Sequence, residues 1–203
     1  MNRNIGVLIS GRGSHLQALN EATRDGRLGA RIVLVISNRP DAHGLRRAQD
    51  AGIETLVRDH KSYASRDVFE RVLVADFLAR DVRLVCLAGF MRLLGATFVD
   101  AFPNRIVNIH PALLPAFPGL HAQRQALEHG ARISGATVHF VDTNLDAGPI
   151  IMQAAVPVLD TDTEDTLSAR ILEQEHRIYP EAIERILDGH WTIDGRRVVF
   201  SEP

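Results

Sequence analysis

Short apolar runs alternate with segments of helical spacing through the first half of the chain. Residues 5–10 form such a run and stop at Gly11, so they predict a buried strand. Residues 14–24 follow as a helix, with Ser14 the candidate N-cap and Leu16 and Leu19 on one face. Residues 31–37, rich in Val and Ile, predict a second strand. The break at 38–41 leads into a helix over 42–51 closed by Gly52, then a short strand over 54–57. Residues 65–80 are the clearest helix of this half: Ser65 can cap it, and Val68, Val72, Ala75 and Ala79 recur at helical spacing. A strand over 84–87, a short helix over 95–101 and a strand over 106–110 ending at Pro111 complete the alternation. Continuous apolar strands interleaved with helices argue for an α/β chain with a mostly parallel sheet covered by helices on both faces.

The second half changes character. A helix is predicted over 121–129, and strands over 136–141 and 149–156 are separated by a loop at 142–148. A long helix over 163–188 has Glu164 and Asp165 suited to its first turn and Pro180 placed to kink or split it. Residues 191–200 predict a small hairpin turning at Asp194-Gly195.

At 203 residues the chain is long enough for one domain with a sizeable core. A formal net charge of −2 gives no field for nucleic acid or a membrane surface. The single cysteine, Cys86, excludes an internal disulfide and fits a reducing compartment; in an apolar strand it is expected to be a core residue. The apolar start is too short for a signal-peptide core, and no run has the length of a membrane span, so a cytoplasmic location is expected. There are nine histidines but no His-Glu-x-x-His and no cysteine pair, which argues against zinc. His43, His60, His129 and His190 are expected on the solvated surface.

In open parallel sheets ligands bind beyond the carboxyl ends of the strands, which singles out residues 10–15, 88–94 and 108–111. Ser10-Gly11-Arg12-Gly13-Ser14-His15 lies between a strand and a helix; it is either a phosphate-binding turn at a helix N-terminus or simply a tight turn. It matches neither the dinucleotide fingerprint nor a Walker loop. In Asn108-Ile109-His110-Pro111, strand geometry puts the amide and the imidazole on one side and Ile109 on the other. The pair can serve a developing oxyanion and a proton transfer, or can cap a strand end. Leu145-Asp146-Ala147-Gly148-Pro149 is first of all a turn, although a carboxylate beside an imidazole would orient its ring; spacing alone does not join Asp146 to His110.

These segments, taken together, resemble the phosphoribosylglycinamide formyltransferase family of purine biosynthesis. The resemblance runs from about residue 5 to 180 and rests on Leu8-Ile9-Ser10-Gly11-x-Gly13-Ser14, Leu87-Ala88-Gly89-Phe90-Met91-Arg92, Asn108-Ile109-His110-Pro111-x-Leu113-Leu114-Pro115, Phe117-Pro118-Gly119-Leu120-His121, Val138-His139-Phe140-Val141, Leu145-Asp146-x-Gly148-Pro149 and Gln174-Glu175-His176. It implies a single formyltransferase domain over 1–203, with a Rossmann-like twisted sheet and a nucleotide-binding half at 1–110. A folate-binding and C-terminal half would follow at 111–203. It further implies transfer of the formyl group of 10-formyltetrahydrofolate, as co-substrate, to the amine of glycinamide ribonucleotide, without a metal. Asn108, His110 and Asp146 match the family's catalytic trio. Gly13, Ser14, His15 and Glu175 match its nucleotide contacts, and Arg66, Met91, Arg92, Leu93, Leu94, Asn108, Val141 and Asp142 its folate contacts. His15 stands where the family commonly has Asn, and Ala112 where it commonly has Ser. Small-molecule substrates are the expected partners, with neither nucleic acid nor membrane, in a monomer or homodimer. Two relatives of other activity are expected to differ in architecture: formyltetrahydrofolate hydrolases in an added N-terminal domain, transfer-RNA formyltransferases in a basic C-terminal one.

Overall fold

The computed structural model describes residues 2–201, and its contacts divide the chain into two compact units that meet in sequence between Val107 and Asn108. The first unit runs β1 (Asn4–Ile9), α1 (Ser14–Arg24), β2 (Arg31–Ser37), α2 (His43–Asp50), β3 (Thr55–Val57), a 3₁₀ turn (His60–Ser62), α3 (Arg66–Leu78), β4 (Leu84–Leu87) and α4 (Ala96–Val99), and enters β5 (Ile106–His110). β1 pairs in parallel with β2 on one side and β4 on the other, and β2 with β3, giving the order β3-β2-β1-β4-β5. The chain thus runs outward from β1 through β2 to β3 and then crosses to β4 on the other side of β1, the kind of reversal beyond whose strand carboxyl ends open parallel sheets bind ligands.

Helices cover both faces of this sheet. A side chain at Gly6 would strike Phe77 of α3, whereas Ile9, whose side chain points the other way, touches Gly44 of α2. Phe77, Phe98 and Phe102 pack edge-on or tilted at centroid separations of 5.2–6.2 Å, joining α3 to α4. Each such fully buried side chain contributes on the order of 1.5–3 kcal/mol of transfer free energy. Cys86 lies in this core, and burial pushes its thiol far above the ordinary range.

The second unit continues from β5 through α5 (Ala122–Glu128), β6 (Ile133–Phe140), β7 (Ile150–Pro157), α6 (Glu164–Asp188), β8 (Trp191–Asp194) and β9 (Arg197–Phe200), in the order β5-β6-β7-β9-β8. β6 and β7 are antiparallel, as is the terminal hairpin, while β9 pairs in parallel with β7. α6 buries Leu167, Ile171, Ile178, Tyr179 and Ile183 against β6 and β7.

Four expectations are corrected. The N-cap of α1 is Gly13, not Ser14: Gly13 has φ 75°, and a Cβ there would come 2.6 Å from the Cα of Gly44. The buried face of α3 is Phe69, Glu70, Leu73 and Phe77; Val68, Ala75 and Ala79 are exposed because the larger side chains take the inward stripe. Pro180 does not split α6, which runs unbroken through it. The hydrogen bond that proline cannot make is outweighed by the buried Tyr179, Pro180, Ala182 and Ile183 around it. β6 begins at Ile133 rather than 136; Ser134-Gly135 look like turn residues, yet Gly135 is there because a Cβ would lie 2.0 Å from the Ala154 carbonyl of β7.

The start of α6 is tied by Asp162. Its carboxylate accepts both Arg170 guanidinium nitrogens (2.7 and 2.8 Å), the Leu159 N–H (2.7 Å) and the Thr166 hydroxyl (2.8 Å), beside a Thr163–Thr166 capping box. The Arg170 bonds, then the backbone N–H, hold the Asp162 carboxyl far below its usual range. A carboxyl depressed in the folded state stabilises above its unfolded pKa of about 3.9 and loses that contribution as pH falls toward the folded value. Asp162→Asn is expected to lower the thermal midpoint by several degrees at pH 7, with the gap from the native protein closing steadily below about pH 4. A gap of equal size at pH 7 and pH 2 in calorimetric scans would contradict this.

Candidate active site

Three excursions of the second unit bring polar groups together. β5 delivers Asn108, half-buried, and His110, 4% exposed, with Ile109 turned into the core as the alternation requires. The chain leaving β5 is held by the Thr137 hydroxyl, which donates to the Ala112 carbonyl (2.7 Å) and accepts from the Leu114 N–H (3.0 Å). The loop after it carries Phe117, Gly119 and His121 at φ 53°, 81° and 58°. His110 Nε2 donates to the Phe117 carbonyl at 2.8 Å.

The loop between β6 and β7 carries Asp146 at φ 48°, a left-handed conformation that Asp tolerates better than most residues. It doubles back because residue 148 is glycine: a Cβ there would meet the Phe140 carbonyl at 1.9 Å, and Phe140 N–H bonds the Pro149 carbonyl at 2.9 Å. Asp146 Oδ2 then stands 3.4 Å from His110 Nδ1 and accepts the Gly119 N–H at 2.8 Å. The pair left unjoined by spacing is thus adjacent. His110 thus has an oxygen acceptor facing each ring nitrogen, the Phe117 carbonyl at Nε2 and the Asp146 carboxylate at Nδ1.

His139, at the end of β6 and 2% exposed, is the residue that sequence reasoning gave no role. Its Nδ1 lies 2.8 Å from the Phe140 carbonyl and so carries the hydrogen; Nε2, left as an acceptor, receives Asn108 Nδ2–H at 3.2 Å. Burial lowers the His139 pKa, and the Asp146 carboxylate 3.8 Å away pulls the other way without prevailing. A neutral His139 is thereby fixed as the acceptor that orients the Asn108 amide. A histidine next to the last residue of a buried strand was the available signal.

In the first unit the turn after β1 is compressed against α2. Gly44 N–H donates to the Gly11 carbonyl (3.0 Å), Arg47 Nε donates to the Arg12 carbonyl (3.1 Å), and Gly13 is buried beneath them. Ser14 and His15, both half-buried, open α1. Met91 and Leu93 are exposed, Arg92 half-buried and Leu94 buried; Arg66 is exposed at the start of α3. Glu175 is buried on α6, and Val141 and Asp142 lie half-buried just past β6. His60 is half-buried rather than fully solvated: it lies against Phe69 and faces Asn38 Nδ2 at 3.4 Å. His43, His129 and His190 are exposed as expected. Among the described residues no cluster of His, Cys, Asp or Glu is arranged to hold a metal ion, and no helix is long and apolar enough to cross a membrane.

The sequence profile of the formyl transferase family matches residues 3–183. The chain is an enzyme of that class and belongs to the formyl transferase family. It is 46% identical to the phosphoribosylglycinamide formyltransferase of Escherichia coli K12, covering 96% of this chain and 95% of that protein. It is 54% identical to the Drosophila melanogaster trifunctional purine biosynthetic protein adenosine-3 over 92% of its own length, but spans only 14% of that protein's. The crystal structure of glycinamide ribonucleotide transformylase 1 from Symbiobacterium toebii superposes with a TM-score of 0.97 at 55% identity, covering 99% of this chain and 95% of that one. The family resemblance and the α/β fold read from the sequence, with its long C-terminal helix and terminal hairpin, agree with these findings.

Proposed function

We propose that the enzyme transfers the formyl group of 10-formyltetrahydrofolate to the amine of glycinamide ribonucleotide, giving formylglycinamide ribonucleotide and tetrahydrofolate for purine assembly. The observation that carries this reading is the His110–Asp146 contact of 3.4 Å beside the Asn108 amide, in a chain of this family. The neutral amine attacks the formyl carbon, a C–N bond forms, and negative charge gathers on the formyl oxygen. Asn108 has a second amide hydrogen beyond the one given to His139, and donates it to that oxygen. His110 Nε2 exchanges the Phe117 carbonyl for the substrate and adds a donor. Asp146 keeps the ring oriented and compensates its charge. As the intermediate collapses, the bond to N10 of the folate breaks; the amine has lost one proton and N10 gains one, with His110 as the carrier.

The turn with Gly13, Ser14 and His15 is assigned to the nucleotide phosphate, where backbone N–H groups at a helix N-terminus suit an anion, and Glu175 to the same substrate. Arg66, Met91, Arg92, Leu93, Leu94, Asn108, Val141 and Asp142 are assigned to the folate. We read residues 1–203 as one formyltransferase domain, with a nucleotide-binding half at 1–110 and a folate-binding and C-terminal half at 111–203. Action on small molecules in the cytoplasm accords with this reading.

The test is an absorbance assay of 10-formyl-dideazafolate deformylation with and without glycinamide ribonucleotide. Deformylation only in the presence of the nucleotide is expected. Equal rates without it would make the protein a hydrolase, and silence in both would overturn the proposal.

A further inference from the structure

The segment 89–95, which leaves β4, carries four of the residues assigned to the folate; Met91 and Leu93 are 69% and 62% exposed, while Leu94 is buried. Its ends are held by polar groups from elsewhere in the first unit. At the near end Ser10 N–H donates to the Gly89 carbonyl (3.1 Å), and Met91 N–H donates to Ser10 Oγ (2.9 Å). At the far end Gly95 N–H donates to the Glu70 carboxylate (2.7 Å).

Both anchoring side chains are out of water, Ser10 at 5% exposure and Glu70 at 2%. Ser10 Oγ donates its own hydrogen to Asn38 Oδ1 at 2.6 Å, which turns its lone pairs toward Met91. Asn38 is itself buried, and its amide is steadied by His60 Nδ1 at 3.4 Å. Glu70 also stands 3.6 Å from Arg66 Nε, another residue assigned to the folate. A Cβ on residue 95 would lie 2.8 Å from the Arg66 guanidinium, so glycine at 95 lets that side chain and the segment lie together. An ionisable group buried on a helix face is costly unless its hydrogen bonds are made. Here the carboxylate accepts a backbone N–H of this segment, and the Arg66 guanidinium stands at ion-pair distance.

We infer that Ser10 and Glu70 are positioning residues for the formyl donor: they pin the two ends of segment 91–95 so that its exposed Met91 and Leu93 present a fixed surface to the folate. The inference rests on the functional reading above. It assigns these residues to the affinity for one of the two substrates.

Steady-state kinetics with 10-formyl-dideazafolate and glycinamide ribonucleotide test it. Ser10→Ala and Glu70→Leu are each expected to raise KM for the folate about 5–100-fold, the range for a buried donor left unpaired, while KM for the nucleotide stays within about twofold. Glu70→Gln keeps an acceptor for Gly95 N–H and is expected to recover most of the loss. Unchanged folate KM, equal rises in both KM values, or a Gln variant as impaired as Leu would each overturn the inference. If Glu70→Leu fails to fold, Ser10→Ala and Glu70→Gln decide the matter by the same criteria. A native enzyme inactive in the assay would defeat the functional reading instead. Calorimetric titration of native and variant proteins with 5,8-dideazafolate would still measure the role of the two anchors: equal affinities overturn it, and weakened binding in the variants upholds it.

Discussion

His110→Ala is expected to lower turnover about 10²–10⁴-fold and to leave the affinity for both substrates near native. The imidazole is buried, bound through Nε2 to the Phe117 carbonyl and faced through Nδ1 by Asp146. Such a ring contributes to the charged intermediate far more than to the neutral ground state, so its loss falls on the chemical step. Alanine leaves a void among residues of one unit and removes no residue assigned to the phosphate or the pterin. Steady-state rates with calorimetric affinities check both halves of the statement; near-normal turnover in the purified variant would remove His110 from the mechanism.

Asp146→Asn is the second large effect, a fall in turnover of about 10²–10⁴-fold, as for other carboxylates that orient a proton-carrying imidazole. The substitution is nearly isosteric, and an amide oxygen can still accept the Gly119 N–H that now reaches Oδ2 at 2.8 Å. The loop therefore stays in place, and what disappears is the charge opposite His110. Because the two groups act as a unit, the double variant His110→Ala/Asp146→Asn should be about as slow as His110→Ala alone. Fully multiplicative losses would mean that Asp146 serves some purpose independent of the ring.

Much of the framework was legible because the governing signals are local. β5 has the bounds its apolar run predicts, and Asp194-Gly195 turns the terminal hairpin with Gly195 at φ 59°. The errors arise where a distant partner decides. Ser14 has the chemistry of an N-cap, but the approach of Gly44, thirty-one residues beyond Gly13, gives the cap position to glycine. Nothing local singles out Glu70, whose carboxylate accepts the Gly95 N–H from twenty-five residues away. The inward face of α3 was misjudged for the same reason, since the valines and alanines have the right period and the phenylalanines the right neighbours. In the candidate site, Asn108 and His110 were placed by strand alternation alone. Their link to Asp146 depends on two loops with left-handed residues, and His139 gained a role only through its contacts.

Gly148 shows where such a site is vulnerable. It has no reactive group, yet the tight return of its loop against Phe140 determines where the carboxylate of Asp146 comes to rest. The resting place of the Asp146 carboxylate is therefore governed in part by the vacancy at a Cα, and a single added methyl two residues downstream would displace it while every side chain of the proposed site remained in the chain.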